Sequence, residues 1–328
     1  MSLLFQILLV FSLAYFLWNI YNNDLLLLMM CKDTKFNTKT TAVSLTVPHS
    51  ESINLLHYCM GENTSKCVPP LLSFRNGYKV ADKYRLIGCA IAKNLSTVLT
   101  AILCFLFDTD GFLMNNRNLT GDLYQIRFCL KRNEYDNIPI IYNNYNSDPN
   151  IWGMIAIVRD PLERFVSGFS DKCLRKQSWR NFTNHCQGCE TNLTCFMERL
   201  YARMMRWTTK DEFERGSFDD NHFFPQNWRC DFRSYLNHYH IIKYASSKQS
   251  EFREDLIAIL RKYNVSETST RYIRTSLSSS RTRHTTKGTL EQQETRKAIL
   301  TNHHHMDLLI KMFYYDFVLF GFPFPQLN

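Results

Sequence analysis

Two short stretches of this sequence place anion-holding side chains between the pattern of a strand and the pattern of a helix. The first is Ile91-Ala92-Lys93-Asn94-Leu95-Ser96-Thr97. Lys93 offers a point charge, Ser96 and Thr97 offer hydroxyl donors, and the free N–H groups of a helix beginning here attract phosphate. The logic is that of a P-loop, although the G-x-x-x-x-G-K-[ST] pattern is missing. A Ser/Thr helix cap beside an exposed lysine is the plainer account of the same residues. The second stretch is Val158-Arg159-Asp160-Pro161-Leu162-Glu163-Arg164-Phe165-Val166-Ser167. Asp160 suits an N-cap, Pro161 the first helical position, and Glu163 the far side of a capping box, so all three have a structural explanation. Arg159 and Ser167 do not. A guanidinium at a strand end can grip a phosphate through two bonds. Ser167, two turns on, reaches the same ligand if that ligand runs along the helix. For Arg159 alone, a surface ion pair is the competing account.

The elements that must position these residues are legible around them. Tyr84 to Ala92 reads as a buried strand, followed by a helical pattern from Thr97 to Phe107. Ile151 to Val158 reads as a second buried strand, again followed by a helix. Two strand-then-helix units argue for an α/β domain with a central parallel sheet, P-loop-like and three-layered, in which ligands bind at the carboxyl ends of the strands. Glu251 to Tyr263 is amphipathic, with Phe252, Leu256, Ile259 and Leu260 on one face, and Arg296 to Phe313 reads as a further helix. No internal repeat is visible.

The 328-residue chain is 45% hydrophobic, enough for a real core, and carries a formal net charge of +9. A basic surplus suits an anionic partner: nucleic acid, a membrane surface, a polyanionic glycan or a phosphate-rich cofactor. No interleaved aromatic-basic motif supports nucleic acid. There are eleven cysteines. Cys186-x-x-Cys189 has half the spacing of a zinc site, but no second pair or His-x-x-x-His partner accompanies it, so disulfides are the preferred reading. Sequons at Asn63, Asn94, Asn118, Asn181, Asn192 and Asn264 favour an oxidising, luminal setting, where disulfides persist. His303-His304-His305 are consecutive on a helix pattern and point in different directions, so they do not make a three-ligand metal site.

Leu3 to Ile20 is a nearly unbroken apolar run, about the length that spans a bilayer. Residues 1–30 read as a signal anchor, with a cleaved signal peptide as the alternative. Lys32, Lys35 and Lys39 follow the run and would sit in the cytosol by the positive-inside rule. The cysteines and sequons oppose that orientation and weigh more. The expected organisation is an anchor over 1–30, a Thr/Ser/Asn-rich stem over 31–80, and a catalytic domain over 81–328.

Taken together, the two turns are far more specific than either alone. Val-Arg-Asp-Pro-hydrophobic-Glu-Arg-x-x-Ser after a strand closely resembles the 3′-phosphate-binding motif of sulfotransferases, and the Lys93 turn resembles their 5′-phosphosulfate loop. The resemblance is to the membrane-bound carbohydrate sulfotransferases, the group that includes the chondroitin 4-sulfotransferases and the HNK-1 sulfotransferase. The Ile-Ala-Lys-Asn-Leu-Ser-Thr form looks most like the divergent nematode branch. Better-known members have a proline before the lysine, where this chain has Ala92. Asp220 to Cys230 resembles the family's His-aromatic-x-Pro-Gln segment, and Tyr239 to Tyr244 resembles the strand that follows it. Arg283-His284-Thr285-Thr286 with Tyr314 to Gly321 resembles the region that closes over the cofactor. The likeness covers about residues 84 to 322.

The resemblance implies 3′-phosphoadenosine 5′-phosphosulfate (PAPS) as donor, no metal, and a glycan or glycosaminoglycan acceptor, chondroitin-like. It implies a Golgi membrane protein of single-pass type II, with its catalytic domain in the lumen. Lys93, Asn94, Ser96, Thr97, Arg159, Ser167, Arg283 and His284 are the expected donor-binding residues. Sulfuryl transfer is an in-line displacement in which positioning and electrostatics do most of the work. Lys93 is the expected cation at the bridging oxygen. Among ten histidines, His222 is the expected base, its competing reading being a structural histidine before Cys230. Two other functions fit parts of the pattern. One is a nucleotide-dependent phosphoryl-transfer enzyme, against which the missing glycine framework counts. The other is a glycan-binding relative that kept the fold without the catalysis.

Overall fold

The run Gly153–Arg159 is buried at every residue, the pattern of a strand covered on both faces. In the computed structural model, which describes residues 55–122, 124–175, 185–209, 216–279 and 288–327, it is an interior strand of the sheet. The sheet has five strands in the order β3-β1-β2-β4-β5. They are β1 (Tyr78–Ala81), β2 (Leu86–Cys89), β3 (Glu134–Tyr135), β4 (Gly153–Arg159) and β5 (Tyr239–Tyr244).

The expected parallel sheet is corrected to a mixed one. β2, β4 and β5 are parallel, but β1 runs antiparallel to both β2 and β3. The cause is the connection. Only a single turn, Asp82–Tyr84, and a left-handed Arg85 separate β1 from β2. A link that short can only reverse the chain, whereas parallel neighbours need a long crossover. β1 lies in the stretch the sequence suggested as stem. That stretch divides: residues 31–54 fall outside the described residues, and 55–80 pack onto a compact unit that begins at Asn54. The Cys59–Cys67 bridge and the hydrogen bond from Val68 N–H to Lys311 C=O hold this segment in place. The expected membrane anchor also lies outside the described residues. Among the described residues, no helix is long and apolar enough to cross a membrane.

Helices cover both faces of the sheet. On one face Ile155 and Ile157 pack with α1 (Ser96–Phe107), whose residues Val98 to Leu106 are all buried, and with the helix Gln249–Lys262. The alternate residues Met154, Ala156 and Val158 face a second core with Ile138, Trp152 and Phe232. This division is the period-two geometry of a strand. Gly88 lets α1 lie close on β2, since a side chain there would meet Leu103 at 3.2 Å. The expected helix from Arg296 to Phe313 is two helices, Leu290–Leu300 and His303–Leu319. Asn302 breaks the run because its side chain accepts a hydrogen bond from His305 N–H and so caps the second helix. The three adjacent histidines turn apart there. His304 meets Glu198, while His305 is buried against Thr194 and Ala298 C=O.

Ten of the eleven cysteines form five disulfides, Cys59–Cys67, Cys89–Cys230, Cys104–Cys129, Cys173–Cys186 and Cys189–Cys195. The eleventh, Cys31, lies outside the described residues. Cys186 and Cys189 belong to different bridges, so their spacing reflects two disulfides and not half of a zinc site.

Cys89–Cys230 closes a sequence separation of 141 residues. Replacing both cysteines by serine should lower stability by about 2–5 kcal/mol. Thermal melting of the double variant checks this, and an unchanged Tm would show that the bridge is dispensable.

Candidate functional site

The two turns singled out in the sequence meet at the carboxyl ends of β2 and β4, beside one cleft of about 730 Å³. Arg159 Nη1 donates to Lys93 C=O at 3.4 Å. Lys93, Ser96, Thr97, Arg159, Ser167 and His222 all line the cleft. Arg283 and His284 lie outside the described residues.

The Lys93 turn is shaped by its backbone. Lys93 and Leu95 both adopt left-handed conformations, with φ of 68° and 57°. Each is costly for a residue with a side chain. Neighbouring groups hold the turn in place. Arg164, itself buried, donates from Nε to Ala92 C=O. Asn94 Nδ2 donates to Ile157 C=O at 3.0 Å and to Gln226 Oε1 at 2.7 Å. Asn94 is therefore a latch rather than a donor-binding side chain: it is 1% exposed and turned away from the cleft. The same burial closes its sequon to a glycan. Leu95, not a serine or threonine, occupies the N-cap of α1 and supplies no side-chain cap. The first N–H groups of that helix thus lack a side-chain partner, and Ser96 and Thr97 stand beside them on the cleft wall.

At the second turn, Asp160 caps the helix α2 (Pro161–Phe169) by accepting from Glu163 N–H at 2.9 Å. The expected capping box is not completed. The Glu163 carboxylate instead lies 3.7 Å from Arg159 and pairs with Arg296. Arg159 is buried over the ring of Tyr244, and its Nε has no hydrogen-bond partner among the described residues. An unpaired buried donor on a guanidinium is costly, and an anionic ligand would repay it.

Beyond α2 the chain continues as a π turn, Ser170–Leu174, a feature frequent at functional sites. It brings Asp171 and Lys172 to the cleft, two residues the sequence reading did not single out. Lys93 Nζ lies 2.8 Å from Asp171 Oδ2. Burial depresses Lys93 to about 8, against the pull of Asp171. Burial alone would raise the Asp171 carboxyl, but Lys93 and Lys172 bring it down to about 2. No local pattern announces Asp171, because its partner is 78 residues away.

His222 sits on the short helix Phe218–Phe223, begun by a capping box between Ser217 and Asp220. Its Nδ1 bonds Phe218 C=O at 2.7 Å, and its ring stacks on Phe218 at 4.4 Å. Nδ1 therefore carries the hydrogen and Nε2 keeps its lone pair. Burial, followed by the field of Lys172 and Lys93, holds the imidazole down to about 3, so it is neutral at ordinary pH.

Gln226 and Asp316 complete the frame. Gln226 Oε1 accepts from Arg159 N–H at 3.1 Å as well as from Asn94, and Nε2 donates to Arg159 C=O at 2.7 Å. The buried Asp316 carboxylate accepts from the backbone N–H groups of Gln226 and Asn227. Both residues fall in segments the resemblance picked out, with no role attached to either.

A model of the sulfotransferase family matches residues 76–323. The chain is 33% identical over 267 residues to an uncharacterised protein of Caenorhabditis elegans, covering 80% of this chain and 74% of that one. It is 30% identical over 263 residues to the carbohydrate sulfotransferase chst-1 of Caenorhabditis elegans, covering 80% of each. No solved structure matches at a significant level.

Gln226→Ala removes a clamp shared by both turns. It should cost about 2–5 kcal/mol, because buried amide groups lose their partners. Denaturant unfolding measures that loss. Full stability in the variant would mean that the clamp is not what holds the turns together.

Proposed function

The chain belongs to the sulfotransferase family, and from that premise we propose that it is a carbohydrate sulfotransferase using PAPS. The acceptor is a sugar hydroxyl on a glycan, chondroitin-like, and the protein works in the Golgi lumen behind a single-pass anchor over residues 1–30. One observation carries the donor half of this reading: Arg159 touches Lys93, so two strand ends wall a single cationic cleft. The likeness to chst-1 supports a glycan acceptor. Five disulfides among the described residues support an oxidising compartment.

The residues fit a nucleotide with a phosphate at each end. The unpaired Arg159 Nε marks the place for the 3′-phosphate, with Ser167 beside it on the cleft wall. The N-terminus of α1, with Ser96 and Thr97, suits the 5′ end. Arg283 and His284 remain proposed contacts at the adenine. The donor supplies a sulfuryl group on a phosphate leaving group. A new S–O bond forms to the sugar oxygen as the S–O bond to the bridging phosphate oxygen breaks. Lys93 Nζ offsets the charge that develops on that bridging oxygen. His222 Nε2 takes the proton from the sugar hydroxyl. Its low basicity in the free protein follows from burial first and then from the cations beside it. Negative charge placed between those cations raises it toward a useful range.

Two experiments test this. Lys93→Ala should lower sulfate transfer from labelled PAPS by about 10²–10³-fold. Arg159→Ala should weaken binding of phosphoadenosine phosphate by about 10–100-fold, the worth of a charge-assisted hydrogen bond, and erase its preference over adenosine 5′-monophosphate. Unchanged turnover and binding in both folded variants would defeat the assignment. Separately, adding phosphoadenosine phosphate should raise the His222 pKa by about one unit or more, read by NMR of the imidazole. A static or falling value would remove His222 as the base.

A further inference from the structure

Asp171 has no place in the motif on which the donor site was read. Its side chain is 1% exposed, and a single oxygen, Oδ2, receives two ammonium groups: Lys93 at 2.8 Å and Lys172 at 2.9 Å. Both lysines line the cleft, with side chains 9% and 10% exposed. The π turn makes this possible. Asp171 and Lys172 are both residues of that turn, and in it Asp171 meets Lys93 of the other loop. The cleft that these two lysines line is also lined by Arg159 and Arg229, so an anion entering it meets several cations.

We propose that Asp171 is a positioning residue for sulfuryl transfer, holding Lys93 and Lys172 as a pair of ammonium groups that face one anionic group in the cleft. The proposal rests on the reading of Lys93 as the cation at the bridging oxygen. Asp171 fixes where the Lys93 ammonium sits before the donor arrives and counters the burial that would strip its proton. Lys172 becomes a second cation beside the sulfuryl group, on the side of the cleft where its charge is felt by His222.

The charged and titratable groups facing Lys93 are Asp171 and Lys172 on the π turn, Arg159 at the end of β4, and His222 on the helix across the cleft. Asp171 alone among them favours the charged lysine, whereas Lys172 and Arg159 oppose it. The protonated form of Lys93 is the active one, so transfer is retained below its pKa and lost above it. Two variants therefore shift the alkaline limb of kcat/KM in opposite directions. Asp171→Asn should move the limb about one pH unit or more toward acid. Lys172→Ala should move it toward alkali. Asp171→Glu keeps the carboxylate and should return the limb toward its wild-type position even if the rate is reduced.

The experiment is a kcat/KM pH profile with PAPS for wild type and the three variants, alongside calorimetry with phosphoadenosine phosphate. If Asp171→Asn is too unstable to assay, an alkaline shift in Lys172→Ala with the limb of Asp171→Glu near its wild-type position decides. An unmoved limb in Asp171→Asn or Lys172→Ala, or a shift of both in the same direction, overturns the role of Asp171 and leaves the functional reading standing. A wild-type protein that neither binds the nucleotide nor transfers sulfate overturns the functional reading, and the Asp171 proposal falls with it.

Discussion

One buried amide holds the floor of the cleft together. Gln226 is fully buried and spends its side chain on two turns that belong to different strands. Its oxygen takes the Asn94 amide and the Arg159 N–H, and its nitrogen returns a bond to the Arg159 carbonyl. Without this clamp, the direct contact between Arg159 and Lys93 would keep fewer supports, chiefly the bonds of Arg164 to Ala92 and of Asn94 to Ile157. Hydrogen bonds in a low-dielectric interior are strong, so the three that Gln226 makes favour one arrangement of the two turns. The clamp is itself anchored by Asp316 from the long C-terminal helix His303–Leu319 and by the Cys89–Cys230 bridge, which ties its loop to the end of β2.

This frame explains how the protein tolerates an expensive site. The Lys93 turn carries two left-handed residues, and the wall behind it buries the guanidiniums of Arg159, Arg164 and Arg229. Burial pushes the pKa of each of these arginines downward, Arg164 to about 10 and Arg229 to about 9. Strain and buried charge of this kind persist only where the surroundings over-determine them, and they concentrate at functional sites. The surroundings here are concrete: α1 buried from Val98 to Leu106, β4 buried from end to end, and disulfides stitching the loops to both.

Charge balance then gives the cleft its direction. Asp171 compensates part of the positive charge of Lys93 and Lys172, and Glu163 compensates part of that of Arg159. The cations are held in place by these carboxylates without being neutralised. A site left with surplus positive charge and an unpaired guanidinium nitrogen is arranged for an anion that the protein does not itself provide.

What the sequence could settle was local. The buried run within Ile151 to Val158, which starts at Trp152 because Ile151 is exposed, the Asp160-Pro161 helix start and the paired turns around Lys93 and Arg159 are written in consecutive residues, because strand burial, capping and turn geometry are short-range effects. The eleven cysteines were legible as a preference for disulfides, but not as a set of partners. The reversal at β1, the inward turn of Asn94, the π turn that delivers Asp171, and the Gln226 and Asp316 clamp were decided only by the tertiary structure. For Asn94, Asp171 and the clamp, the deciding contact joins groups far apart in the chain, such as Asn94 and Gln226 across 132 residues. A local pattern records what a residue can do, but its partner is chosen by the packing of the whole sheet and helices, and no window of sequence contains that choice.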